Sequence, residues 1–248
     1  MKTGVQISSL KPLLLTEEQV KDAFARVAAM GAQAVQLQWI DPAVPIPAIV
    51  RALDGAGLAS VSVQDFYASV LENEAYYVAL NRLTGGVWLC VSRVPDRLKS
   101  RAGLDAYIAE LRAMSERLAK AGQKLCFHPV LADYQPIDGV NPTEYLLENM
   151  PELSCCLDLY HLGRSGANMH DWIRAHAGRI CMVHFKDAKD GRLVPAGQGD
   201  TDWRGVIPAC LEAGVPWAFV EQETWDGDPY DCLKAALDWL NGEIAGLS

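Results

Sequence analysis

The sequence predicts a single (β/α)8 TIM barrel, with residues 1–248 forming one domain. Eight short apolar runs rich in β-branched residues alternate with eight longer segments of helical period. Strict alternation repeated eight times over this length favours a closed barrel over an open sheet. No linker, low-complexity tract or shift in composition divides the chain. An open doubly wound sheet would carry a Gly-rich phosphate loop after the first strand, and "ISSLKP" is not one.

The expected strands are "VQISSL" (5–10), "AVQLQW" (34–39), "ASVSVQ" (59–64), "GVWLCVS" (86–92), "KLCFHP" (124–129), "SCCLDLY" (154–160), "ICMVHFK" (180–186) and "WAFVEQE" (217–223). The first helix, 16–31, has Thr16 as N-cap, acids in its first turn, Val20, Phe24 and Val27 on one face, and Gly31 as a stop. Residues 46–57 form the second. The segments 68–86 and 103–122 carry the clearest helical periods, and 141–150, 168–178, 202–214 and 228–246 complete the set. Gly57, Gly122 and Gly214 each end a helix just before a strand, where glycine supplies a left-handed cap.

Composition excludes several classes of function. The net charge of −9 disfavours nucleic acid, which needs a concentrated basic surface; even "RVPDRLKSR" (93–101) is interrupted by Asp96. No apolar run approaches the roughly 20 residues of a membrane span, and the start lacks the pattern of a signal peptide. The expected location is therefore cytoplasmic. The seven cysteines are odd in number and form no C-x-x-C pair, and most lie in apolar runs; they read as small buried hydrophobes. A homo-oligomer is left open.

In such barrels the chemistry gathers at the C-terminal strand ends. Polar residues there include His128 on strand 5, Asp158 and His161 on strand 6, His184, Lys186 and Asp187 on strand 7, and Glu221 and Glu223 on strand 8. A buried unpaired carboxylate is costly, so Asp158, within "CCLDLYH", needs a partner. Asp158, His184 and Glu221 lie on successive strands, each flanked by apolar residues. They make a mixed oxygen and nitrogen site for one divalent metal ion, Mn, Mg, Co or Zn. The competing reading pairs Asp158 with Lys186 or with a backbone cap, and makes His184 a satisfied core histidine. Trp39, Phe66, Tyr67, Trp88 and Trp225, at or just after strand ends, are candidates to wall a pocket there.

"CLDLYH", "MVHFKD" and "FVEQE" resemble, in order and spacing, the xylose-isomerase-like TIM-barrel sugar isomerases and epimerases, over about residues 120 to 225. "GQGDTDW" (197–203) looks like the loop those proteins carry after strand 7. The resemblance implies one divalent metal held by residues of strands 5 to 8, with Asp158, His184 and Glu221 matching the last three. The chain departs from the pattern on strand 5, where "FHPVLADY" keeps His128 but has Val130 and Asp133 where a second His and the Glu are usual, and on strand 2, where Gln36 replaces the usual glutamate. His128, on the strand end, is preferred to Asp133 as fourth ligand.

The mechanism expected from this site is removal of a proton α to a carbonyl, through a metal-stabilised enediolate, by Glu221 or His128. Lys186 would stabilise the oxyanion, the alternative being a salt bridge to Asp187 or Asp158. His161, Arg164, Asp133, Gln36 and Trp225 are assigned to a small-molecule carbohydrate substrate; Arg164 would hold a phosphate or carboxylate unless it is only a solvated loop residue. The expected activity is an isomerase or epimerase on a sugar, sugar phosphate or keto-polyol. The alternatives are a lyase or dehydratase on a keto sugar or cyclitol, and a non-catalytic sugar-binding barrel with a degenerate site.

Overall fold

In the computed structural model, which describes residues 1–247, eight parallel strands close into a barrel. They are β1 (Lys2–Gln6), β2 (Ala34–Leu37), β3 (Ala59–Phe66), β4 (Trp88–Ser92), β5 (Lys124–His128), β6 (Ser154–Asp158), β7 (Ile180–Phe185) and β10 (Trp217–Val220). Each pairs with its neighbours in sequence order, and β10 closes the ring on β1. The remaining two strands, β8 (Asp187–Lys189) and β9 (Arg192–Val194), form a small antiparallel hairpin after β7 that the periodicity did not announce.

The helices follow the expected order: α1 (Glu17–Ala29), α2 (Ile46–Ala56), α3 (Tyr67–Glu72), α4 (Glu74–Leu83), α5 (Arg101–Lys120), α6 (Pro142–Asn149), α7 (Leu159–Arg164), α8 (Met169–Ala175), α9 (Val206–Glu212) and α10 (Pro229–Ala245). Thr16 caps α1 by accepting from the Gln19 N–H, and Gly57, Gly122 and Gly214 adopt φ of +68°, +72° and +71°. Three expectations are corrected. The first strand, expected over 5–10, runs over Lys2–Gln6, and Ile7–Leu13 turn into a 3-10 helix in which the Ser8 N–H donates to the Gln6 side chain. The helix expected over 68–86 breaks at Asn73 (φ −128°, ψ 33°), giving α3 and α4. The strand expected over 154–160 stops at Asp158, because that side chain accepts from the His161 N–H and starts α7.

Side chains alternate along a strand, so inward positions stack in layers. Ala34, Cys90, Cys126, Cys156, Met182 and Phe219 form an apolar layer inside the barrel. Two residues further along lie Gln36, Ser92, His128, Asp158, His184 and Glu221, all buried. A second core, including Phe24, Tyr107, Phe127 and Phe185, fills the space between strands and helices. The six cysteines of the strands and α9 are buried, as expected of small hydrophobes.

Candidate metal centre and active site

The polar layer at the C-terminal end of β5, β6 and β7 brings three candidate ligands together, and Glu221 after β10 stands beside one of them. Asp158 and His184 are register partners, and Glu221 follows β10 with its N–H bonded to the Phe185 carbonyl. His128, Asp158 and His184 each offer a ligand atom within 4.8 Å of the other two. Glu221 Oε2 lies 3.1 Å from His184 Nδ1. Each side chain is anchored on its far side. Ser92 Oγ meets His128 Nδ1 at 3.0 Å, the His161 N–H donates to Asp158 Oδ1 at 3.0 Å, Ser8 Oγ donates to Glu221 Oε1 at 3.0 Å, and His184 Nε2 meets Gln36 Oε1 at 2.5 Å.

What remains is four buried atoms without a hydrogen bond: His128 Nε2, Asp158 Oδ2, His184 Nδ1 and Glu221 Oε2. Buried polar atoms are nearly always satisfied, so the convergence of His128, Asp158 and His184 within 4.8 Å, with Glu221 Oε2 beside His184, makes a place where a cation would complete the bonding. Two imidazole nitrogens and two carboxylate oxygens are a donor set suited to a divalent cation. Ligands sharing an ion at about 2.1 Å stand roughly 3 to 3.5 Å apart when adjacent, which the His184–Glu221 separation matches. These residues therefore fit a metal ion.

Lys186 supplies the only fixed positive charge in contact with this group among the described residues. Its ammonium donates to Glu223 Oε1 at 2.7 Å and stands 3.5 Å from Glu221 Oε2 and 3.6 Å from Asp158 Oδ2. The last two distances are ion-pair contacts too long for hydrogen bonds, so those oxygens stay unsatisfied. No ion pair joins Lys186 to Asp187 among the described residues. Burial opposes the ammonium, but Glu221, Asp158 and Glu223 hold its pKa above the usual lysine value. Burial likewise opposes both carboxylates, yet the charges of His161 and Lys186 keep Asp158 well below its ordinary range, and those of Lys186 and His184 do the same for Glu221. Burial pushes His128 down to about 4 and, with the repulsion of Glu221, pushes Glu223 up. Near neutral pH the centre thus holds ionised Asp158 and Glu221 beside a neutral His128.

The other predicted residues fall in different places. His161 sits at the rim on α7, 23% exposed at its side chain, with Nε2 3.7 Å from Asp158 Oδ2. Gln36 is fully buried beneath His184 and bonded to protein on every side, so it belongs to the support of the centre rather than to a substrate surface. Asp133 is also taken out of the centre: both its oxygens accept backbone N–H groups, from Val94 at 3.0 Å and Val130 at 2.9 Å. Arg164 is exposed and donates to its neighbour Tyr160, and Trp225 is half-buried in the segment after β10. Trp39 borders a cavity of about 250 Å3 at the ends of β2 and β3, with Gln38, Gln64, Asp65, Tyr77 and Lys11. Its backbone holds φ of +56°, a left-handed conformation rare for a bulky residue. Ser8, Gln6 and Glu223 also belong to the site. Ser8 and Gln6 are not singled out by the sequence, where the strand is expected over 5–10 and not over Lys2–Gln6, so its true end is hidden; Glu223 is visible as a second acid two residues beyond Glu221.

A closed parallel barrel with imidazoles and carboxylates converging at its C-terminal mouth defines the class: a (β/α)8 barrel whose mouth gathers possible metal ligands. The model for the xylose isomerase-like TIM barrel family matches residues 18–242, and the chain belongs to that family. Among solved structures, a sugar phosphate isomerase/epimerase from Parabacteroides distasonis superposes with a TM-score of 0.81 at 16% identity, covering 96% of this chain and 92% of the other. A 3-keto-D-glucoside 4-epimerase from E. coli gives 0.71 at 16% identity, covering 98% and 99%. A probable 3-DHS dehydratase from Bacillus anthracis gives 0.75 at 16% identity, covering 97% and 99%. At such identities these likenesses establish the fold. No curated protein matches the chain.

Proposed function

We propose that the chain is a divalent-metal-dependent isomerase or epimerase of a sugar or related keto-polyol, working by removal of a proton α to a carbonyl. The observation that carries this reading is the set of four buried atoms without a hydrogen bond on His128, Asp158, His184 and Glu221. A divalent ion held by them would act as a Lewis acid on adjacent hydroxyl and carbonyl oxygens and make the α-proton more acidic. The chain's own groups supply the rest. Glu221 is kept ionised by Lys186 and His184 and is oriented by Ser8, which suits it to accept a proton. Lys186, fixed among three carboxylates, places a permanent positive charge beside any oxyanion that develops. Glu223, whose pKa is raised, has a free Oε2 and is the residue placed to return a proton, in the role that the missing strand-5 glutamate leaves open. The cavity beside Trp39 is sized for part of a small carbohydrate, with an aromatic wall and amide and carboxylate groups for hydroxyls.

The first test is metal content. Purified protein equilibrated with Mn2+, Co2+, Mg2+ or Zn2+ is expected to retain one equivalent, and Asp158→Ala to lose it while remaining folded. Stoichiometric metal in the variant, or none in the wild type, removes the reading. The second is exchange of substrate hydrogen for deuterium in D2O across a panel of ketoses and their phosphates. Exchange with return of an isomer supports the proposal. Loss of water instead identifies the dehydratase outcome of the same first step, the activity carried by the name of one structural neighbour.

A further inference from the structure

Beneath His184 lies a closed set of glutamine amides whose donor directions are forced by one backbone group. The Ser8 N–H can only donate, and it meets Gln6 Oε1 at 3.1 Å. Gln6 must therefore present its Nε2 to the other side, where it donates to Gln36 Oε1 and Gln38 Oε1, both at 3.0 Å. Gln36 Oε1 is thereby an acceptor, and its Nε2 donates to Ser62 Oγ at 2.8 Å and Gln64 Oε1 at 3.1 Å. Gln64 Nε2 closes the set on Gln38 Oε1 at 3.2 Å. Every direction agrees, and reversing any one amide sets donors against donors or acceptors against acceptors. The group facing Gln36 Oε1 across the barrel is His184 Nε2, at 2.5 Å. An acceptor at that distance requires a hydrogen on the nitrogen. The thiol of Cys156, 3.2 Å from the same nitrogen, does not compete, since a bare Nε2 would leave two lone pairs opposed at Gln36.

We infer that this relay, from the Ser8 backbone through Gln6 and Gln36, keeps the hydrogen of His184 permanently on Nε2, so that Nδ1 is the only ring atom free to take an ion. Gln36 is on this account a positioning residue, acting through His184. The consequence for the centre rests on the metal reading above; the tautomer itself does not. Nδ1 and Glu221 Oε2, 3.1 Å apart, are then two acceptors facing each other, and only a proton or a metal cation stabilises that pair. A neutral amide at position 36 also does this without adding a third carboxylate to Asp158 and Glu221.

The test is the 1H–15N spectrum of the His184 ring at pH 8 in chelator-treated protein and after addition of Zn2+. Nε2–H is expected in both states, with Zn2+ displacing only what Nδ1 carries. Gln36→Leu is expected to let the ring shift to Nδ1–H, donating to Glu221, and to weaken Zn2+ binding by roughly 10- to 100-fold in calorimetry. Gln36→Glu, which still accepts from Nε2, is expected to restore the wild-type ring pattern. A neutral ring with Nδ1–H and bare Nε2 in the wild type overturns the relay whether or not any variant folds. A folded Gln36→Leu with unchanged ring spectrum and Zn2+ affinity overturns it too. A wild type with Nε2–H that takes up no Zn2+ upholds the relay and removes the metal reading alone.

Discussion

Asp133 shows how a carboxylate near a strand end can serve the backbone instead of the chemistry. It is 1% exposed and tethers the segment after β4 to the one after β5 through the Val94 and Val130 N–H groups. Burial raises its pKa from 3.8 to about 6, against the pull of those two hydrogen bonds. A carboxyl with a higher pKa folded than unfolded binds its proton more tightly in the folded chain. Its stabilising contribution is therefore complete below about pH 4 and is lost as the pH rises through 6. The shift corresponds to roughly 3 kcal/mol. In Asp133→Asn the amide stays neutral throughout, so the stability deficit of the variant should shrink by about 2 to 3 kcal/mol between pH 4 and pH 7. Paired urea titrations check this; a deficit independent of pH contradicts the assigned burial effect. The contrast with Asp158 explains what the sequence could reveal at this scale. Asp158 interrupts an apolar run and has no local donors for both oxygens, and it was found by that interruption. Whether Asp133 faced the site depended on backbone donors from Val94, 39 positions away. Ser8, whose partner Glu221 lies 213 positions on, was equally illegible.

Elements were legible where one period held and illegible where a single side chain ended it. The barrel strands were found because they are apolar runs with glycine-capped helices before them. The α3–α4 break was missed because apolar residues continue on both sides of Asn73, and the end of β6 because Leu159 and Tyr160 continue the apolar pattern past the Asp158 cap. The segment after β7 is organised by one carboxylate. Asp187 is fully buried and accepts from the N–H groups of Ala188, Gly197, Gly199 and Thr201, the Thr201 hydroxyl and the Trp203 indole. A Cβ on Gly199 would fall 2.2 Å from Asp187 Oδ1, which accounts for the glycine in "GQGDTDW". Each oxygen faces three donors, so Asp187→Asn turns an NH2 group against three N–H groups at the Oδ2 position, or against two N–H groups and the rotatable Thr201 hydroxyl at the Oδ1 position. The isosteric change should therefore cost about 2 to 4 kcal/mol and open the 190–203 segment to proteolysis. Denaturant melts and timed digestion measure both, and a wild-type digestion pattern in the variant would show that other contacts hold the loop.

At the scale of the whole barrel, closure and the candidate metal centre share one piece of packing. The ring closes where β1 lies between β2 and β10, with Gly4 opposite Ala34 on one side and Phe219 on the other. A Cβ at Gly4 would stand 2.3 Å from the Ala34 carbonyl oxygen and 2.8 Å from the Phe219 ring. The carbonyl cannot retreat without disturbing the β1–β2 ladder. The ring is held as well: Trp217 stacks on it at 6.3 Å between centroids, and its edge packs on His184 at 6.4 Å. Gly4→Ala must therefore either strain the seam or drive Phe219 into the imidazole that the centre depends on. Overpacking of this kind costs about 1 to 3 kcal/mol. If the strain passes through Phe219, stability and Zn2+ affinity should fall together, and Gly4→Ala/Phe219→Leu should recover both in part by making room for the new methyl. Calorimetric affinity and urea stability measured on the single and double variants decide it. A loss of stability with Zn2+ affinity untouched would mean that the seam absorbs the methyl by itself, and that the centre is mechanically insulated from the closure of the barrel.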